Sequence, residues 1–217
     1  MQDWRILADC DKIAAANLYR LYGDISRKCQ NDSRLRAEQA LSDAIQGINE
    51  AEAITIHPFI KFQKARILNI IDRSKILEEV HTEEIISAYR DAIFIIKTVD
   101  QYSQIQQTKS YASLLWLYGQ YLSDNNYIEE SIRYLEESCV AFRNLNIIDK
   151  EYYKCLSKLG YSYLNFYTLD KDNRIKYLLF ARNINQILLD NYKKIGEVKF
   201  FANQLKQELQ KYKNIKG

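Results

Sequence analysis

Residues 114–122 read LLWLYGQYL, an apolar and aromatic stretch with helical spacing and a glycine at its centre. Glycine inside a helix costs about 1 kcal/mol relative to alanine. Gly119 must therefore answer to packing rather than to local propensity. A small residue lets two helix backbones approach closely where they cross, with larger neighbours filling the surrounding groove. On that reading Leu115, Tyr118 and Leu122 point into an interior, while Trp116 and Gln120 sit on another face.

Helical periodicity continues on both sides of this stretch. Ala14, Leu18, Leu21 and Ile25 step by four, three and four, as do Val198, Phe201, Leu205, Leu209 and Tyr212; no strand-like alternation competes. Start signals separate the helices: Thr82 before two acids, Asn126 three residues before Glu129, and Asp149, Asp170 and Asp172 as further caps. Pro58 suits the first turn of a helix, where its missing N–H costs nothing. The spacing predicts about nine helices: 3–29, 33–52, 57–74, 82–100, 105–123, 127–145, 150–167, 172–190 and 194–213. Short connections predict antiparallel neighbours.

The central stretch recurs. Leu115, Tyr118, Gly119 and Leu122 have the spacing of Leu156, Leu159, Gly160 and Tyr163. Downstream, Ser131, Leu135 and Ser138 correspond to Arg174, Leu178 and Ala181, with two residues inserted. A looser copy runs through Tyr19, Tyr22 and Gly23 to Ala37, Leu41 and Ala44, and the faintest keeps Ala65, then Ile85, Tyr89 and Ala92. This pattern resembles the tetratricopeptide repeat, whose first helix reads W-x2-L-G-x2-Y and whose second places small residues around a larger one. The period of about 34 residues is stretched to 41 between Gly119 and Gly160, as in a divergent member.

The resemblance implies an all-α fold: a right-handed superhelical solenoid of antiparallel helix pairs at approximately 3–52, 57–100, 105–145 and 150–190, closed by a capping helix over 194–213. First helices line a concave groove in such arrays. By that pattern the exposed positions are Ser113, Trp116, Gln120, Ser123 and Asp124, then Lys154, Ser157, Lys158, Tyr161 and Asn165. Lys154 and Lys158 match the last part of the carboxylate clamp found in some members. Trp116, Leu117 and Gln120 stand where its asparagine and lysine would be.

Composition agrees with a folded, soluble chain, read as a single domain over 1–217: 47% of residues are hydrophobic, and 1 proline and 6 glycines leave no linker-like tract. The net charge of +3 comes from interspersed acids and bases and makes no nucleic-acid footprint. Cys10, Cys29, Cys139 and Cys155 lack metal-site or disulfide-scaffold spacing, which points to reduced thiols, a cytoplasmic location and no zinc. The start MQDWRILADC is no secretory signal, and no apolar run is long enough for a membrane span.

Catalytic signatures are missing. With only two histidines, acid–base and metal chemistry have few routes. His57 precedes Pro58 at a helix start, a capping or surface position, and Glu78-x-x-His81 has no second pair to complete a di-iron set. His81 and His57 also lack the upstream arginine of a HEPN-type nuclease. Phosphate loops, nucleophile elbows and calcium loops do not occur, and Glu129–Glu130 and Glu136–Glu137 read as helix-surface residues.

The expectation is a non-enzymatic scaffold or adaptor, without cofactor or metal, that binds another protein or peptide segment in the groove. Self-association is a further partner class. The alternative is a regulatory or sensor subunit touching nucleic acid or an acidic partner through Lys193–Lys216, since seven lysines against Glu197 and Glu208 make Lys193–Gly217 basic.

Overall fold

The computed structural model describes residues 34–74, 81–169, 174–191 and 202–210, all helix, turn or short connection and none of it strand. The first expected helix, with Tyr19, Tyr22 and Gly23, lies outside these residues, as do Glu78 and the Asp170 and Asp172 caps. Two compact units divide between Ser103 and Gln104.

The first unit contains α1 (Arg34–Ile54), α2 (Pro58–Ser74) and α3 (Thr82–Thr98). Leu41, Ala44 and Ile48 of α1 meet Ile60, Ile67 and Ile71 of α2 in one apolar cluster. The positions read as the faintest repeat are interior ones: Ala65, Ile85, Tyr89 and Ala92 are all fully buried. Pro58 opens α2, and His57 caps it, its Nδ1 accepting from the Phe59 N–H at 3.2 Å. Thr82 is not the cap of α3. His81 takes that place in extended conformation without a side-chain bond, and Glu83 and Glu84 occupy the first turn, where the helix dipole favours acids.

Between α3 and α4 the expected helix start at 105 gives way to a 3-10 segment, Asp100–Gln107. Its sequence, DQYSQIQQ, has no apolar stripe, and none of it is buried, so packing cannot hold a regular α-helical turn there.

The second unit runs through α4 (Lys109–Asp124), α5 (Ile128–Asn144), α6 (Lys150–Leu169) and α7 (Arg174–Asn191) to a short helix α8 at 202–210. Thr108 caps α4, accepting from the Tyr111 N–H, and Asp149 caps α6, accepting from Glu151 and Tyr152 at 2.8 and 3.2 Å. Asn126 does not cap α5. It adopts a left-handed conformation, φ 67°, and ends α4: the Tyr127 N–H reaches back to the Leu122 carbonyl at 2.9 Å and the Asn126 N–H to Ser123. The turn after α5 repeats this geometry at Asn146, φ 56°, with Ile147 bonded to Phe142. Asparagine tolerates the left-handed region that most residues avoid, which makes it the usual substitute for glycine in this type of helix stop.

Gly119 lies at the crossing of α4 and α5. A Cβ there would stand 2.7 Å from Leu135 Cγ and 3.2 Å from the Leu135 backbone nitrogen. The close approach also brings the Gly119 carbonyl to Ser131, whose hydroxyl donates to it at 2.8 Å, while Ser138 donates to the Ala112 carbonyl at 2.7 Å. Those two pairings run in opposite directions along the chain, so α4 and α5 are antiparallel. Leu115, Tyr118 and Leu122 are fully buried beside them. The core continues through Leu156, Leu159 and Tyr163 of α6 and Leu178, Ala181 and Leu188 of α7 to Leu205, with Leu209 packed against it. The described part of the expected capping helix thus buries its apolar side in this core.

Candidate protein-interaction groove

The α4 and α6 helices run side by side in the same direction, and polar contacts mark their alignment. Near their starts, Lys109 pairs with Asp149 at 2.6 Å and Glu151 at 3.2 Å, and the Ser113 hydroxyl donates to Glu151 at 3.3 Å. Near the end of α4, Asp124 pairs with Lys158 at 2.5 Å. Asp149 is only slightly buried. That burial would raise its pKa, but hydrogen bonds from Lys109 and from the Tyr152 and Glu151 backbone outweigh it and hold the carboxyl below its usual value.

Between these two fastenings the helices enclose a cavity of about 300 Å³ lined by Trp116, Gln120, Lys154, Ser157, Lys158 and Tyr161. Helical spacing explains the set: Trp116 and Gln120 are four apart on α4, and Lys154, Ser157, Lys158 and Tyr161 follow at intervals of three, one and three on α6. Trp116 and Tyr161 lay part of their rings on the core and leave the rest at the cavity wall. Ser157 is 4% exposed and its hydroxyl oxygen meets no hydrogen-bond partner. An unsatisfied buried hydroxyl costs about 1–3 kcal/mol. No carboxylate among the described residues pairs with Lys154. The cavity therefore offers aromatic surface, an amide, an idle hydroxyl and an uncompensated positive charge.

Comparison with solved structures finds a crystal structure described as a Podosopora anserina kinesin light chain with nearly identical TPR-like repeats; it aligns with TM-score 0.57 and 12% identity over 92% of each chain. The chain has a tetratricopeptide-like repeat fold. No family model matches the sequence, and no curated protein matches it.

Within the tetratricopeptide-like frame, six of the ten residues expected from the sequence meet around one cavity. Ser113 and Asp124 flank it and are engaged with Glu151 and Lys158. Asn165 is exposed further along α6. Ser123 and Ser157, expected among the exposed positions, are instead interior at 6% and 4% exposure, the Ser123 oxygen accepting from Ser162 at 3.1 Å. One residue along a helix rotates a side chain by about 100°, enough to turn Ser123 inward while Asp124 stays at the rim.

The acid pairs read as surface residues include three that take tyrosine hydroxyls: Glu130 from Tyr118, Glu136 from Tyr163 and Glu137 from Tyr111. Burial first, then the neighbouring carboxylate, pushes the Tyr111 and Tyr163 hydroxyls well above their usual value. No spacing rule signals these contacts. No metal-ligating cluster occurs among the described residues, and no helix among them is long and apolar enough to cross a membrane. Of the basic C-terminal stretch, Lys206 is described and exposed on α8; the other lysines of Lys193–Lys216 lie outside the described residues.

Proposed function

We propose that this protein is a non-enzymatic interaction module whose groove between α4 and α6 captures a peptide or protein segment. The observation that carries the reading is the cavity with its idle Ser157 hydroxyl and unpaired Lys154. An apolar side chain of the partner lies against Trp116 and Tyr161, and acceptor groups bond Ser157, Gln120 and Lys154. Aromatic anchors with polar groups at fixed positions are the usual source of affinity and register in such sites. Its place is a reducing compartment, the cytoplasm, which suits the free thiols of Cys139 and Cys155.

Capture from lysate of the source organism by wild type and by a Trp116→Ala, Tyr161→Ala variant shown to be folded tests the groove. Partners retained by wild type should be lost by the variant; identical retrieval refutes the assignment. A salt titration separates this reading from a nucleic-acid role. Phosphate-driven binding falls by orders of magnitude between low and moderate salt when several lysines take part, whereas capture of apolar anchors does not.

A further inference from the structure

Cys139 of α5 and Cys155 of α6 face each other in the core with their sulfurs 3.4 Å apart, and both are free thiols. Cys155 is fully buried and its thiol points to the Leu135 carbonyl at 3.6 Å. Cys139 differs in one respect: it lines a cleft of about 410 Å³ between α5, α6 and α7, beside Val140, Phe180 and Ile187, each more than a third exposed. Cys139, itself 4% exposed, thus borders a cleft wide enough for a small molecule, whereas Cys155 does not. A disulfide needs a sulfur separation of about 2.05 Å. Bond formation therefore requires the two sulfurs to close by about 1.4 Å.

We infer that Cys139 and Cys155 are a dithiol modification site, which a small hydroperoxide entering the α5–α7 cleft closes to a disulfide. The Cys139 sulfur attacks the peroxide, the O–O bond breaks, and the departing oxygen leaves as water or an alcohol after taking a proton. Cys139 is then a sulfenic acid. The Cys155 sulfur attacks it, the S–O bond breaks, and the departing hydroxyl takes the Cys155 proton and leaves as water. Two thiols have been oxidised and one peroxide reduced. The Cys155 thiol beside Cys139, and then burial, hold Cys139 well above its usual value against the opposing effect of Arg143, so Cys139 rests as a thiol and reacts slowly. Because Cys155 lies between Lys154 and Ser157 on α6, the bond ties down the helix that carries one wall of the groove, although the site stands whether or not that groove binds a peptide.

The test exposes the full-length reduced protein to hydrogen peroxide, blocks remaining thiols, and maps the tryptic peptides. Expected is a linked species joining YLEESCVAFR (134–143) to CLSK (155–158), lighter by two hydrogens than its separate parts and split by dithiothreitol. The melting temperature should rise by about 6–10 °C, as closing a loop of this length in a chain of this size implies, and the rise should vanish in Cys155→Ser. Peptides containing Cys139 and Cys155 that stay unlinked, or that link to Cys10, Cys29 or a second chain instead, overturn the inference. The peptide map on wild-type protein decides this even if the variant does not fold.

Discussion

Replacing Gly119 by alanine sets two effects of known sign against each other. Helix propensity favours alanine by about 1 kcal/mol. The added methyl, however, would sit 2.7 Å from Leu135 Cγ, 3.0 Å from Cδ2 and 3.2 Å from the Leu135 backbone nitrogen. Leu135 is fully buried, so a rotation that carried Cγ away would drive the side chain into its packed neighbours, and no rotamer relieves the contact with the backbone nitrogen. The α5 backbone has to move. Overpacking of this kind costs roughly 2–3 kcal/mol, leaving Gly119→Ala destabilised by about 1–2 kcal/mol. Urea unfolding followed by Trp116 fluorescence in a Trp4→Phe background measures it in the second unit. Leu135→Ala alone removes buried volume and costs about 2–5 kcal/mol, but in the Gly119→Ala background it relieves the clash. The double variant should therefore be about 1–2 kcal/mol more stable than the sum of the singles. If Gly119→Ala stabilises the protein by the propensity term and the two changes simply add, the crossing does not require glycine.

Three further outcomes follow from the same contacts. Asp149→Ala removes the α6 cap and should lower stability by about 1 kcal/mol. Because its folded pKa lies below the ordinary 3.8, the wild-type advantage is present at neutral pH and fades as acid titrates the carboxyl below that value; a constant difference down to strong acid would contradict it. Tyr163→Phe loses the hydroxyl bonded to Glu136 and should cost about 1–2 kcal/mol near pH 7. Since the folded hydroxyl titrates above its ordinary value of 10.0, that difference should shrink as pH rises past 10 in denaturation curves. Asn146→Val should cost about 1–2 kcal/mol in thermal unfolding while Asn146→Gly is neutral or better, and equal effects would argue against the left-handed helix stop.

The positions assigned to the groove came from the tetratricopeptide resemblance, and helical spacing explains why they share a face. Ser113, Trp116, Gln120 and Asp124 recur at three, four and four, which places them along one stripe of any helix, and Lys154, Ser157, Lys158, Tyr161 and Asn165 do the same one repeat later. Once Gly119 and Gly160 are taken as equivalent positions, the two stripes become neighbours. Where the reading failed, two kinds of helix end competed. Asn126 and Thr82 are good N-cap residues, yet Asn126 also suits the left-handed stop of the preceding helix, and the backbone used it there. Residues 105–108 carry helical propensity without an apolar face to pack, so α4 begins later than periodicity implies.

The amino-acid sequence by itself determined the helical class, the pairing of helices, the interior role of Leu115, Tyr118 and Leu122, and the need for a small residue at 119. All of these depend on hydrophobic period and on distances of a few residues along the chain. Only the tertiary structure decided that Ser123 turns inward, that Glu136 and Glu137 take hydroxyls from Tyr163 and Tyr111, that Ser157 is left without a partner, and that Cys139 meets Cys155. Each of those depends on how far one helix slides and rotates against the next. Packing of many side chains sets that shift at once, and no local spacing encodes it.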